Sequence, residues 1–162
     1  MAQRTYISFT IGTRNGVFAL DDIVEIYRIV GFKEVDEAPR RVIGYCSFRG
    51  QPMYGIDIHD VFGLKQKPFD ANASIIITLA QQHLFGVLVD KIGEIHRLDE
   101  TAEKSRQAIP ADIQHDHVRR VFEIDGQTHF EIEILGLLNN EERLSLLNHS
   151  RLVESTENEP ST

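Results

Sequence analysis

The chain has 162 residues, a formal net charge of −8 and a single cysteine, Cys46. That length fits one compact domain or two small intertwined lobes, the acidic balance argues against nucleic acid, and one cysteine rules out an internal disulfide framework. No apolar segment follows Arg4 as in a signal peptide, and no apolar run nears the ~18 residues of a membrane span, so the expected location is the cytoplasm, without membrane insertion.

Residues 5–12 alternate, with Ile7, Phe9 and Ile11 on one face and Tyr6, Ser8 and Thr10 on the other, the period of a half-buried strand. Asn15-Gly16 reads as a hairpin turn because both residue types accept positive φ, and residues 17–20 read as the return strand. Asp21 or Asp22 can cap a short helix through Tyr27, with Ile23, Ile26 and Tyr27 facing the core and Glu25 pointing elsewhere. Residues 32–41 are polar and contain Pro39, a loop.

The stretch 42–64 organises the chain. Residues 42–48 suit a strand, Arg49-Gly50 turns it, and residues 53–58 return. Asp57 or Asp60 can start a helical turn through Val61-Phe62, ended by Gly63. Arg is an unusual turn residue; a cation at a hairpin tip is a contact residue or a surface charge.

Residues 65–73 are polar, contain Pro68 and read as the join between two lobes. Residues 74–79 carry Ile75, Ile76 and Ile77 in succession, a strand buried on both faces. Strands follow at 84–89 and 90–98, then a charged, irregular segment ending at Pro110. A hairpin at Asp125-Gly126 joins residues 118–124 to 127–135, with Phe130, Ile132 and Ile134 inward and Glu131 and Glu133 outward. A last helix is expected over 136–148 with a stripe of Leu137, Leu138, Leu144 and Leu147, and residues 150–162 are too polar to fold. Nine or ten short strands in two sets mean barrels or a sandwich.

Candidate chemistry is sparse. His115-Asp116-His117 is a histidine cluster without a third ligand at defined spacing, and a solvated loop explains it. The pairs Asp57/Asp60 and Glu131/Glu133 are explained by capping and a solvated strand face rather than by a glycosidase dyad. No nucleophile elbow and no Gly-rich phosphate loop occurs.

The order of features over residues 4–149 resembles the CheW family of bacterial chemotaxis coupling proteins. The similar pieces are Asp22-Ile23-Val24-Glu25-Ile26, Val42-Ile43-Gly44 through Arg49-Gly50, Ile56-Asp57-Ile58, Phe62-Gly63-Leu64, Gly86 through Ile92, and Asp125-Gly126 followed by Leu137 through Glu142. The resemblance implies a mainly β fold of two SH3-like five-stranded barrel lobes with short helices and a C-terminal helix. It implies no catalysis, no cofactor and no metal. The implied role is an adaptor between the cytoplasmic tips of chemoreceptors and the regulatory domain of a CheA-type histidine kinase. The receptor or kinase contact would involve Ile23, Glu25, Gly44, Arg49, Ile75 and Ile76, with a receptor helix in an apolar groove between the lobes. Matching acidic and basic positions lie close together in the family, so Arg49 is expected to fold back onto Glu25.

Three positions depart from the family pattern: Tyr54-Gly55 stands where Pro-hydrophobic is usual, His59 where Arg is common, and Ser47-Phe48 where Asn-Leu is. These keep open an accessory CheW-like protein of a non-motility pathway with another partner. A small-barrel metal-dependent enzyme is the reading from a different class.

Overall fold

The structure, a computed structural model, describes residues 2–157. Eleven strands form two sheets: β1 (Arg4–Ile11), β2 (Arg14–Ala19), β3 (Ile23–Arg28), β4 (Val42–Phe48), β5 (Gln51–Asp57), β6 (Ser74–Ala80), β7 (His83–Val89), β8 (Lys91–Leu98), β9 (Glu103–Lys104), β10 (Val118–Ile124) and β11 (Gln127–Ile132). One sheet has the order β8-β1-β2-β11-β10-β9, the other β3-β6-β7-β5-β4. Each contains one parallel pair, β2 with β11 and β5 with β7, among antiparallel ladders. One helix, α1 (Asn140–Glu157), follows.

The chain leaves the first sheet through a 3-10 turn at Leu20–Asp22 and returns after β7 at Asp90. Asp90 ties that crossing to the β1–β2 turn: its carboxylate accepts the Gly12 N–H at 2.6 Å and its own N–H donates to the Thr10 carbonyl at 3.0 Å. Residues 65–73, expected to join the lobes, instead link β5 to β6 within the five-stranded sheet. Polar composition marks a connection but not which elements it connects.

Burial divides into three clusters. Phe48, Met53, Ile75, Ile77, Leu84 and Leu88 fill the five-stranded lobe, and Tyr6, Val17, Leu98, Phe122 and Ile124 fill the six-stranded one. A larger cluster takes residues from both sheets, among them Phe9, Phe18, Ile56, Ile76, Val87 and Phe130. Period two explains the isoleucine run: Ile75 and Ile77 face their own lobe, while Ile76 faces the shared core, and all three are fully buried.

Several local expectations are corrected. The β1–β2 turn is Gly12-Thr13, and Asn15-Gly16 lies inside β2. Gly16 sits opposite Phe9, where a Cβ would overlap the Phe9 ring; that ring stacks on Phe18 at 5.0 Å. The helix expected through Tyr27 is strand β3, paired with β6, and Tyr27 is exposed rather than in the core. Neither Asp57 nor Asp60 caps the 3-10 turn Asp60–Phe62. Asp57 accepts from the backbone N–H of His59 at 2.9 Å and pairs with its Nδ1 at 2.7 Å. Gly63 ends that turn in the left-handed region, as expected.

Glu131 points inward, not outward. It is buried, faces the Tyr6 hydroxyl at 3.3 Å and pairs with Arg119 and Arg120 at 3.5 and 3.4 Å. Burial pushes its carboxyl pKa up, against the pull of the two guanidinium groups. Helix α1 begins later than expected and runs past Asn148 into the expected polar tail; residues 158–162 lie outside the described residues. Its buried contact is Leu146, whereas Leu144 is exposed, and Leu137 and Leu138 precede the helix. Among the described residues no helix is long and apolar enough to cross a membrane.

Candidate functional site

Strands β3 and β4 are the two edges of the five-stranded sheet, and side chains rather than a backbone ladder link them. Tyr27 of β3 meets Phe48 of β4 edge-to-face, with ring centroids 5.5 Å apart. Glu25 of β3 forms an ion pair with Arg49, and the Arg49 guanidinium lies 4.9 Å from the centroid of the Phe48 ring. The sheet thus curls toward a barrel whose seam is closed by an aromatic pair, a cation–π contact and an ion pair.

The β4–β5 turn explains why Arg49 stands there. Phe48 pairs with Gln51, leaving a two-residue loop with φ 51° at Arg49 and 78° at Gly50. Both values suit the tight hairpin whose twist matches the flanking strands. A left-handed arginine is disfavoured, by roughly 1–2 kcal/mol, and this turn directs its side chain back over Phe48 to Glu25. At Asp125-Gly126 the same two-residue turn uses Asp, a residue at ease in that conformation.

Beside the seam lies a cavity of about 270 Å3 lined by Tyr27, Val30, Cys46, Phe48, Met53 and Ile75, together with Ser47, Arg49 and Ile77. Its floor is the lobe core and its rim carries exposed Tyr27, Val30 and Arg49. Burial raises the Cys46 thiol pKa, which makes it an apolar lining group rather than a nucleophile. The arrangement offers a partner an apolar recess beside an ordered, exposed charge pair.

The six expected contact residues separate into two sets. Glu25 and Arg49 are brought together at the surface, and Ile75 lies beneath them in the cavity wall. Ile76 is sealed in the shared core, and Ile23 is half-buried against that core. Gly44 is buried under the chain's own 29–41 segment: Lys33 and Tyr45 exchange backbone hydrogen bonds, and a Cβ on Gly44 would lie 2.5 Å from the Lys33 carbonyl oxygen. Tyr27, Val30 and Phe48 line the cavity and were not among the residues expected there. The signal for Tyr27 was its place two residues after Glu25, which is meaningful on a strand and lost on a helix.

Two of the departures from the family pattern are interior. Tyr54, Gly55 and His59 are all buried; the Phe32 ring packs on Gly55, and His59 stacks near Phe69 at 5.0 Å. Ser47 and Phe48 line the cavity. The histidines do not converge: His115 Nε2 lies 3.2 Å from the Pro110 carbonyl, and among the described residues no group of three or more His, Cys, Asp or Glu is placed to hold a metal ion.

The family model described as the CheW-like domain matches residues 5–155. The chemotaxis protein CheW of Helicobacter pylori (strain ATCC 700392 / 26695) is 26% identical over 96 residues, a match spanning 59% of this chain and 58% of that relative. The crystal structure of scaffolding protein TtCheW from Thermoanaerobacter tengcongensis superposes with a TM-score of 0.77 at 19% identity, covering 88% of this chain and 92% of that one. The likeness establishes the fold, two SH3-like lobes with a C-terminal helix.

Proposed function

The chain belongs to the CheW-like domain family, and from that we propose that it is a non-catalytic adaptor of a bacterial chemosensory array, linking the cytoplasmic tip of a chemoreceptor to the regulatory domain of a CheA-type histidine kinase. The cytoplasm is then its place of work. The single observation that carries the reading beyond the fold is the seam. There an exposed Arg49 is fixed by Glu25 and Phe48 beside an apolar recess. Apolar anchors entering a recess supply affinity, while a pre-positioned charge pair on the rim sets register and partner choice.

This reading moves the partner contact from the space between the lobes to the β3–β4 seam of one lobe. The space between the sheets is filled by the shared core, which leaves no open groove along Ile76. The buried positions of Tyr54, Gly55 and His59 also weaken the case for an altered partner, since these residues present nothing to one.

A pull-down of the purified chain against a receptor-tip fragment and an isolated kinase regulatory domain tests the proposal. Retention of both supports it. Retention of neither, with a folded chain, removes it in favour of an accessory role with another partner.

A further inference from the structure

The end of β5 carries a buried carboxylate of which the fold uses one oxygen. Asp57 is 5% exposed. Its Oδ1 accepts the backbone N–H of His59 at 2.9 Å and pairs with the His59 ring at Nδ1, 2.7 Å away. A carboxylate only accepts, so Nδ1 carries the proton of that bond. Among the described residues Oδ2 has no hydrogen-bond partner, a costly arrangement for a buried charge. That oxygen is left to the two adjoining cavities that Asp57 lines.

The larger cavity, about 450 Å3, lies between β4, β7 and the 65–73 connection. Apart from Asp57 its walls are Ile29, Ile43, Pro68, Phe69 and Leu88, with exposed Gln66 and Lys67 at the rim. The Phe69 ring packs 5.0 Å from that of His59, and the Ile29 N–H ties the connection back by donating to the Ala73 carbonyl at 3.0 Å. The smaller cavity, about 290 Å3, shares Asp57 and Gln66 and is otherwise lined by Arg40, Arg41 and Asp60. Arg41 is spent on Asp60, Gln114 and the Leu137 carbonyl. Arg40 meets Asp60 through Nη2 alone, and its side chain is 73% exposed. An acceptor-only oxygen, an apolar chamber and a guanidinium with donors to spare thus surround adjoining spaces.

We propose that these cavities bind a free α-amino acid with an apolar side chain. The ammonium donates to Asp57 Oδ2, the side chain enters the chamber of Ile29, Ile43, Phe69 and Leu88, and the carboxylate meets Arg40. The volumes are those of a small-molecule site. Asp60 does not compete for the ammonium, because two arginines already hold it. A carboxylic acid without an amine would set a like charge against Asp57. A divalent cation needs several donors, and no group of three or more His, Cys, Asp or Glu is placed to supply them among the described residues. A zwitterion answers both charges and brings no net charge into a partly buried space. The site is separate from the β3–β4 seam, so its test involves neither receptor nor kinase.

Calorimetric titration of the full chain, with amide NMR shifts to locate the site, tests this. L-leucine and L-phenylalanine should bind at one site and shift Asp57, His59 and Phe69. Phenethylamine, which lacks the carboxylate, should bind more weakly, and hydrocinnamate, which lacks the ammonium, should not bind. Asp57→Asn keeps an acceptor for His59 but puts a donor where Oδ2 stands, and should lower affinity at least ~30-fold. Arg40→Gln, at an exposed side chain, should lower it roughly 2- to 5-fold with the fold intact. Absence of binding at about 10 mM amino acid would overturn the proposal. So would binding that Asp57→Asn or Arg40→Gln leaves unchanged, or phenethylamine binding as tightly as L-phenylalanine.

Discussion

Arg49, at the tip of the β4–β5 hairpin, is ion-paired with Glu25 on β3, although β3 and β4 are opposite edges of the same sheet. The pair therefore bridges the seam of the lobe rather than a hydrogen-bonded ladder. Its side chains are 65% and 35% exposed, so its contribution to stability is on the order of 0–1 kcal/mol at most. A weak stabiliser at a conformationally strained turn points to a role in binding.

Replacing Arg49 by Asn separates the two roles. Asn accepts the left-handed conformation, so Arg49→Asn should leave the melting temperature unchanged or slightly raised. Affinity for the receptor tip or the kinase domain should fall at least ~10-fold, about 1.4 kcal/mol. Calorimetry of unfolding and of binding on the same preparation checks both. The exchange Glu25→Arg with Arg49→Glu should recover part of the affinity; a double mutant as weak as the sum of the singles would mean two independent contacts.

Gly44 tests the interior of the same lobe. The family resemblance placed Gly44 at the partner contact, open to a partner's approach. The structure reverses this, because a side chain there meets the Lys33 carbonyl and the Phe32 Cβ, and φ is 153°. Gly44→Asp should cost about 1–3 kcal/mol in chemical denaturation and open the 29–41 segment to protease. A variant as stable as the parent would show that this segment does not pack on β4.

Arg41 joins parts of the chain that are distant in sequence. Its guanidinium donates to Asp60 at 3.1 and 3.2 Å, to Gln114 Oε1 at 2.8 Å and to the Leu137 carbonyl at 2.6 Å. Burial opposes ionisation of Asp60, but hydrogen bonds from Arg41 and Arg40 outweigh it and hold the carboxyl below its ordinary value. Arg41→Ala should lower stability by about 2–4 kcal/mol, and Arg41→Lys should restore little of it, since an ammonium cannot span three acceptors in a plane. Urea denaturation of the three proteins measures the difference.

Acid should weaken the whole fold through the buried His129 and the half-buried His117. Burial holds His129 and His117 below the ordinary 6.5, so the unfolded chain binds more protons than the folded one. Stability is then full above about pH 6.5 and falls as pH drops below it. His129 Nδ1 lies 3.1 Å from the Gln127 carbonyl, a bond that the amide of Gln can replace. His129→Gln should therefore flatten the loss of denaturation free energy between pH 7 and pH 5; an unchanged slope would assign it to other groups.

Most strands, though neither β3 nor β9, were legible from the sequence, and the Arg49–Glu25 proximity followed from the family resemblance. Ile23, Ile26 and Tyr27 fit a helical period and Ile23, Glu25 and Tyr27 fit a strand period equally well; pairing with β6 decides for the strand. Asn15-Gly16 has ideal turn chemistry, yet cross-strand packing of Phe9 on Gly16 places it inside a strand. Glu131 sits at an alternating position that reads as solvent-facing, and only the closed lobe, with Tyr6 and two arginines around it, makes an interior carboxylate tolerable. The cavity was hidden for the same reason: its lining comes from β3, β4, β5, β6 and Val30, which only the curled sheet assembles.

The central claim is that the chain couples two partners through its seam. The most direct measurement is co-sedimentation of a kinase regulatory domain with clustered receptor-tip fragments, with and without the chain. The account predicts that the kinase domain sediments only when the chain is present, and that Arg49→Asn reduces this at least ~10-fold while remaining folded. Kinase sedimentation that is independent of the chain, or fully supported by Arg49→Asn, would contradict it.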